Sequence, residues 1–302
     1  MADVLVVGSV ALDSVKTPFG KVDEALGGSA TFFSYAASFF TQVRLVAVVG
    51  ADFPKTHLDL LAGHGVDLSG LHVADGPTFR WAGEYGYDLN EARTLDTRLG
   101  VFADFRPALP EALRRPSFLF LANIDPDIQL DVVRQVERPR LVALDTMNFW
   151  IGGKRDALRR VLAEVDALLV NDAEARMLTQ EPSLIKAART ILGYGPRIVV
   201  VKRGEYGVLM ATGGRFFFAP AFPLESVFDP TGAGDTFAGG FMGALARAAA
   251  FDDAALRRAI VYGSVMASFT VEDFSLNRLL RLRDPEIDDR YRTFQEMMHL
   301  ER

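Results

Sequence analysis

The stretch Asp229-Pro230-Thr231-Gly232-Ala233-Gly234-Asp235-Thr236-Phe237-Ala238-Gly239-Gly240-Phe241 passes from a turn signal, Asp-Pro, through tiny residues into a long helical pattern. Tiny residues let the backbone approach a ligand closely, and the first N–H groups of a helix have no partner inside it. The positive end of the helix dipole lies at the same place, so free donors and charge converge on an anion. Asp235 falls in the first turn, where a carboxylate can accept a proton from an attacking hydroxyl. The plainer alternative is a glycine turn whose acidic residue offsets the dipole, worth about 0.3–1 kcal/mol. Local pattern alone leaves both open. No GxxxxGK[ST] occurs, and Gly232-Ala233-Gly234 does not complete GxGxxG, so neither of those phosphate-binding signatures is present.

Upstream, short apolar runs alternate with stretches of helical periodicity. The expected strands are Val4–Val7, Arg44–Val49, Ser117–Leu121, Leu141–Leu144, Ala167–Val170 and Ile198–Val201. Expected helices include Ala30–Phe40, Leu130–Val136, Ala157–Val165 and Ser183–Leu192, followed by Asp235–Ala250, Ala254–Thr270 and Pro285–Met298. Strands that are apolar throughout and separated by helices predict a mostly parallel sheet covered on both faces, an α/β/α three-layer fold. Two segments, about 12–26 and 68–102, break this rhythm and are rich in Gly, Asp, Thr and aromatics. They predict a small β-sheet lid inserted in a single domain spanning residues 1–302. In the second segment Phe79, Trp81, Gly83, Tyr85 and Tyr87 share one side of an extended strand, because side chains alternate with period two.

Composition narrows the chemistry. The chain of 302 residues has no cysteine, which removes disulfides, thiolate catalysis and Cys-based metal sites. Its four histidines show no HExxH spacing, and the net charge of −6 argues against nucleic acid or an anionic membrane as partner. Met1-Ala2-Asp3-Val4 leads almost directly into a strand with no basic region, so no signal peptide is expected and the cytoplasm is the expected location. A hydrolase with a GxSxG elbow is excluded, since neither Gly8-Ser9-Val10 nor Gly263-Ser264-Val265 supplies one.

The 229–241 stretch resembles the C-terminal signature of PfkB, or ribokinase-like, carbohydrate and nucleoside kinases, which share a D-T-x-G-A-G-D core. The resemblance implies a ribokinase-like fold and transfer of the γ-phosphoryl of ATP to a hydroxyl. It implies Asp235 as the base, the amides of Gly232, Ala233, Gly234 and Asp235 as an anion hole, and Asp229 with Thr231 beside a monovalent cation, for which K⁺ is the candidate. Asn171-Asp172-Ala173-Glu174 reads as a capping box, and it also resembles the N-x-x-E element of these kinases. There Glu174, with Asn171, would organise Mg²⁺ indirectly. Lys202-Arg203-Gly204 ends the next strand where the family's nucleotide-contacting K-x-G lies; an ordinary strand-to-turn transition is the alternative. Near the N-terminus, Asp13 matches the substrate-binding aspartate, and Gly27-Gly28 matches the G-G motif.

One departure bears on the acceptor. Ribokinases continue G-G-x-x-x-N, whereas here Gly27-Gly28-Ser29-Ala30-Thr31 is followed by Phe32. Phe32, Phe33, Trp81, Tyr85 and Tyr87 therefore suggest a flat, apolar acceptor, such as a nucleoside whose base stacks on them. The stretches 78–83 and 145–150 resemble bacterial nucleoside kinases, which adds Arg80 and Asn148 as substrate contacts. A free sugar or sugar acid is the alternative acceptor, and a silent binding protein the remoter one. The exposed edge of a small lid sheet predicts a homodimer through the lid.

Overall fold

The computed structural model describes residues 2–299. In chain order it forms β1 (Asp3–Val7), β2 (Ala11–Thr17), β3 (Gly20–Gly27), α1 (Ser29–Ser38), β4 (Gln42–Gly50), α2 (Lys55–Gly63) and β5 (Val66–Ala74). Then come β6 (Arg80–Tyr85), β7 (Ala92–Arg98), β8 (Phe118–Leu121), α3 (Pro126–Gln135), β9 (Leu141–Asp145), α4 (Asn148–Gly153) and α5 (Arg155–Leu162). β10 (Ala167–Asn171), α6 (Asp172–Thr179), α7 (Leu184–Leu192), β11 (Ile198–Lys202), β12 (Val208–Thr212) and β13 (Arg215–Ala219) follow. Three helices, α8 (Ala233–Ala248), α9 (Asp253–Thr270) and α10 (Asp284–Met297), close the chain.

Nine strands make one sheet in the order β13-β12-β11-β10-β9-β8-β1-β4-β5. All neighbours from β11 to β5 pair in parallel, and β12 and β13 extend one edge as an antiparallel hairpin. Alternation along each strand sorts the apolar side chains to two faces. Val4, Val6, Leu45, Phe120, Ala143, Leu169 and Val200 join the layer of α1, α8, α9 and α10, while Leu5, Val7, Val46, Leu121, Leu144, Val170 and Val201 join that of α3, α5, α6 and α7. The three-layer ribokinase-like architecture expected from the sequence is the one observed. No helix among the described residues is long and apolar enough to cross a membrane.

The small sheet has the order β3-β2-β6-β7, with β2 and β6 parallel and both outer pairs antiparallel. Its second segment is shorter than the expected 68–102. β5 pairs in parallel with β4 in the main sheet, Gly70 opposite Val46, and Val101 and Phe102 pack on the main core. The polar, glycine-containing sequence of β5 follows from its place at the sheet edge, where one side needs no partner. Only β6 and β7 of that segment belong to the lid.

β1 lies between β4 and β8; α1, which leads on to β4, packs on one face of the sheet, and α3, which follows β8, on the other. The ends of parallel strands beside such a switch point form a natural crevice. Gly8 follows β1 there, and Asp145, Asn171 and Lys202 end β9, β10 and β11 at the same edge. The lid strand β2 leaves this edge three residues after Gly8, which places Asp13 over it.

Candidate active site

The anion loop folds as its residues require. Gly232 has φ +75, a conformation that side-chain-bearing residues rarely adopt, and a Cβ there would lie 2.4 Å from the Phe32 ring. The loop is therefore laid flat on an aromatic floor, and α8 begins immediately after it. The Ala233 amide is engaged, donating to the Pro230 carbonyl at 3.1 Å. Among the described residues no acceptor is recorded for the amides of Gly232, Gly234 and Asp235. Three of the four expected donors thus remain for a ligand.

Three acidic groups and one lysine gather beside this loop. Lys202 Nζ lies 2.9 Å from Asp145 Oδ2 and 2.9 Å from where a Cβ on Gly234 would stand. Burial alone would pull the Lys202 ammonium down, but the charges of Asp145, Glu174 and Asp235 outweigh it and hold its pKa above the ordinary value. Burial, and then the Asp145 charge, push the Asp235 carboxyl well above the carboxylate range, with Lys202 pulling it back. Glu174 is pushed up to about 7 by burial and then by Asp145, again opposed by Lys202. The capping box is present as well: the Glu174 amide donates to Asn171 Oδ1 at 2.7 Å, and the Asn171 amide to Glu174 Oε2 at 2.8 Å.

This cluster is suited to Mg²⁺ at one remove. Asp145, Glu174 and Asp235 share a single lysine, a charge deficit that a divalent cation would offset. Yet no three acidic or imidazole side chains among the described residues converge as direct ligands. Asp229 is 1% exposed, and its oxygens accept from the amides of Thr231 at 2.9 Å and Ser275 at 3.3 Å. No cationic side chain is among these partners, so a monovalent cation beside Asp229 is compatible with the charge present.

Below the lid, Asp13 Oδ2 accepts from the Gly28 amide at 3.2 Å, while Oδ1 is buried with no partner among the described residues. Gly27 must be glycine here, since a Cβ would fall 1.9 Å from Asp13 Oδ2. Burial pushes the Asp13 carboxyl up to about 7, against the Gly28 hydrogen bond and with the Asp229 charge adding to the rise. Trp81 pairs with Asp13 across the lid strands, its ring lying over Gly83. Tyr85, on the same side of β6, reaches the anion loop through Thr231.

Several expected contacts are placed elsewhere. Phe32 is 2% exposed and packs beneath Gly232, so it supports the anion loop rather than stacking on a base. Phe33 is fully buried and stacks on Phe120 in the core, ring centroids 4.2 Å apart. Tyr87 is 88% exposed beyond the end of β6. The Arg80 guanidinium is spent on Glu24 and Asp52, each at 2.8 Å, and so ties β6 to β3 and to the loop after β4. Asn148 is exposed at the start of α4, and its side chain makes no hydrogen bond among the described residues. Gly204 stands in the turn after β11, with Asn90 Oδ1 of the lid 3.2 Å from where its Cβ would be. Asp145 and Ser275 take part in these contacts without having been among the expected site residues. The signal for Asp145 was there, an acid at the C-terminal end of a parallel strand beside those of Asn171 and Lys202.

Comparison with known proteins bears on the family and the fold. Residues 1–281 match the pfkB family carbohydrate kinase. The chain is 32% identical over 253 residues to a cytidine kinase of Thermococcus kodakarensis, covering 82% of this chain and 90% of the relative. It is 33% identical over 294 residues to a ribokinase of Haemophilus influenzae, covering 88% and 91%. The solved nucleoside kinase of Burkholderia thailandensis, in complex with inosine, superposes with a TM-score of 0.76 at 21% identity, covering 96% of this chain and 98% of that one.

The Asp13 environment sets a pH dependence of stability. Its folded carboxyl holds its proton up to about 7 against an ordinary value of 3.8, so the unfolded chain releases that proton first. The stabilisation is complete below pH ~4 and is lost as pH rises through about 7, on the order of 4 kcal/mol. Urea unfolding of the ligand-free protein between pH 5 and 8 should show this fall. Asp13→Asn should fall distinctly less, and parallel curves would contradict the assignment.

Proposed function

Because the chain belongs to the pfkB carbohydrate kinase family, and is a kinase of sugars or nucleosides, we propose that it transfers the γ-phosphoryl of ATP to a ribose hydroxyl of a nucleoside. The observation that carries this is the chemistry of the acceptor side. Asp13 offers a buried carboxyl oxygen without a partner among the described residues, suited to ribose hydroxyls, and the lid face beside it is built of the Trp81 ring and the Tyr85 phenol. An acidic sugar would call for a free cation there, and Arg80 is already paired with Glu24 and Asp52. The relatives that act on cytidine or hold inosine support the same acceptor class.

In this scheme Asp13 and the Gly27-Gly28 turn hold the ribose, and Asp235 removes the proton of the attacking hydroxyl. The free amides of Gly232, Gly234 and Asp235 take the charge of the transferring phosphoryl. Lys202, Gly204 and Asn171 face the nucleotide. Mg²⁺, when bound, neutralises phosphate charge near Glu174, and a monovalent cation such as K⁺ supports the loop at Asp229 and Thr231. The raised proton affinity of Asp235 strengthens it as a base once it is ionised, and Lys202 beside it favours that ionised form. A cytoplasmic location is consistent with ATP as donor.

A coupled ADP-release assay with Mg²⁺–ATP tests the proposal on cytidine, adenosine, inosine, ribose, fructose and 2-keto-3-deoxygluconate. Turnover on nucleosides is expected, with Asp235→Asn lowering kcat by about 10²–10⁴-fold while ATP binding persists. Turnover confined to sugars would overturn the nucleoside assignment in favour of the free-sugar alternative, which the ribokinase relative supports.

We also infer that two copies pair through the lid. β7 is the outer strand of the lid sheet, all seven of its residues are exposed, and Leu95 is 51% exposed. An open edge of this kind is satisfied by another strand. Light scattering should give twice the chain mass, and a monomer at all concentrations would refute the pairing.

A further inference from the structure

β6 ends on Tyr85, whose phenol leaves the lid sheet for the main body of the molecule. Thr231 Oγ1 donates to the Tyr85 hydroxyl at 3.3 Å, joining residues 146 apart in sequence. Thr231 is held from its other side, since its amide donates to Asp229 Oδ1 at 2.9 Å. The second oxygen of Asp229 accepts from Ser275, and the Ser275 hydroxyl donates to the Leu26 carbonyl at the end of β3 at 2.6 Å. Lid, anion loop and the 271–277 segment therefore form one hydrogen-bonded chain that passes through Thr231. The next residue, Gly232, carries the left-handed turn that aims the free amides.

We propose that Tyr85 is a positioning residue: its hydroxyl latches the closed lid to Thr231 and so fixes the anion loop while the phosphoryl group is transferred. A phenol is well suited to this. The ring is rigid, and the Thr231 hydroxyl donates to it, which leaves the phenol its own proton for a further acceptor. Burial pushes the Tyr85 pKa up to about 12, with the charges of Asp229, Asp13 and Asp235 adding to the rise, so the hydroxyl stays protonated through the neutral range. The turn that follows Tyr85, at the same end of the hairpin, reaches the loop after β11, where Asn90 Oδ1 stands beside Gly204. A lid held at both points excludes water from the anion loop, and water is the competing acceptor.

The latch rests on the kinase activity of the family and not on a nucleoside acceptor. Tyr85→Phe removes one oxygen and keeps the ring. Its kcat for transfer should fall about three- to tenfold, as expected for one neutral hydrogen bond. KM for ATP should hold, and acceptor-free ADP release should rise as a fraction of turnover. Thr231→Val should show the same loss, and the double variant no more than either single one. Thr231→Ser, which keeps the hydroxyl, should restore turnover. Losses that multiply in the double variant would overturn the latch, as would a Tyr85→Phe enzyme matching the wild type in transfer and in acceptor-free ADP release. If no acceptor in the panel is phosphorylated, the acceptor proposal fails, and the latch is still decided by acceptor-free ADP release.

Discussion

One ammonium group, Lys202 Nζ, stands among the carboxylates of Asp145, Glu174 and Asp235 at the C-terminal edge of the sheet. Like charges gathered in a place with little water raise one another's proton affinity, and a single compensating cation decides which of them ionise. The sheet makes this gathering possible. Asn171 is in register with Lys202 across β10 and β11, and Asp145 is opposite Leu169. Three consecutive parallel strands thus deliver their terminal polar residues to the N-terminus of α8, where the free amides of the anion loop point.

The lid completes this edge from above. Asp13 enters on β2 within a few residues of β1, so the main sheet itself fixes its position. Arg80 holds β6 down through Glu24 and Asp52, and Tyr85 carries the strand on to Thr231. The aromatic residues of the site divide into two kinds of work. Phe32 supports the glycine-rich loop from below, while Trp81 stands beside Asp13 and Tyr85 reaches Thr231 from the lid.

Most of the architecture was legible because its central strands are apolar on both faces and its turns are rich in glycine. The glycine-rich loop at 229–241 could be placed at a helix N-terminus for the same reason. β5 was not legible as a main-sheet strand, because an edge strand can carry Asp67, Ser69 and Gly70 and so looks like lid. Phe32 and Phe33 were misjudged because α1 is buried from Ser29 to Ala37, leaving no polar face to say which aromatic looks where. Arg80 and Tyr85 find partners from distant segments, 56 and 146 residues away. Period two gave Tyr85 its side of the strand, but nothing local could supply Thr231 as its partner.

The compensation by Lys202 is tested most directly by the pH dependence of kcat/KM in Lys202→Met, which keeps the length of the side chain and removes its charge. Without that charge the Asp235 carboxyl binds its proton more tightly, and the acid limb of the profile should move to higher pH as overall activity falls. An acid limb at the wild-type position would contradict the account, showing that Asp235 ionises independently of the lysine beside it.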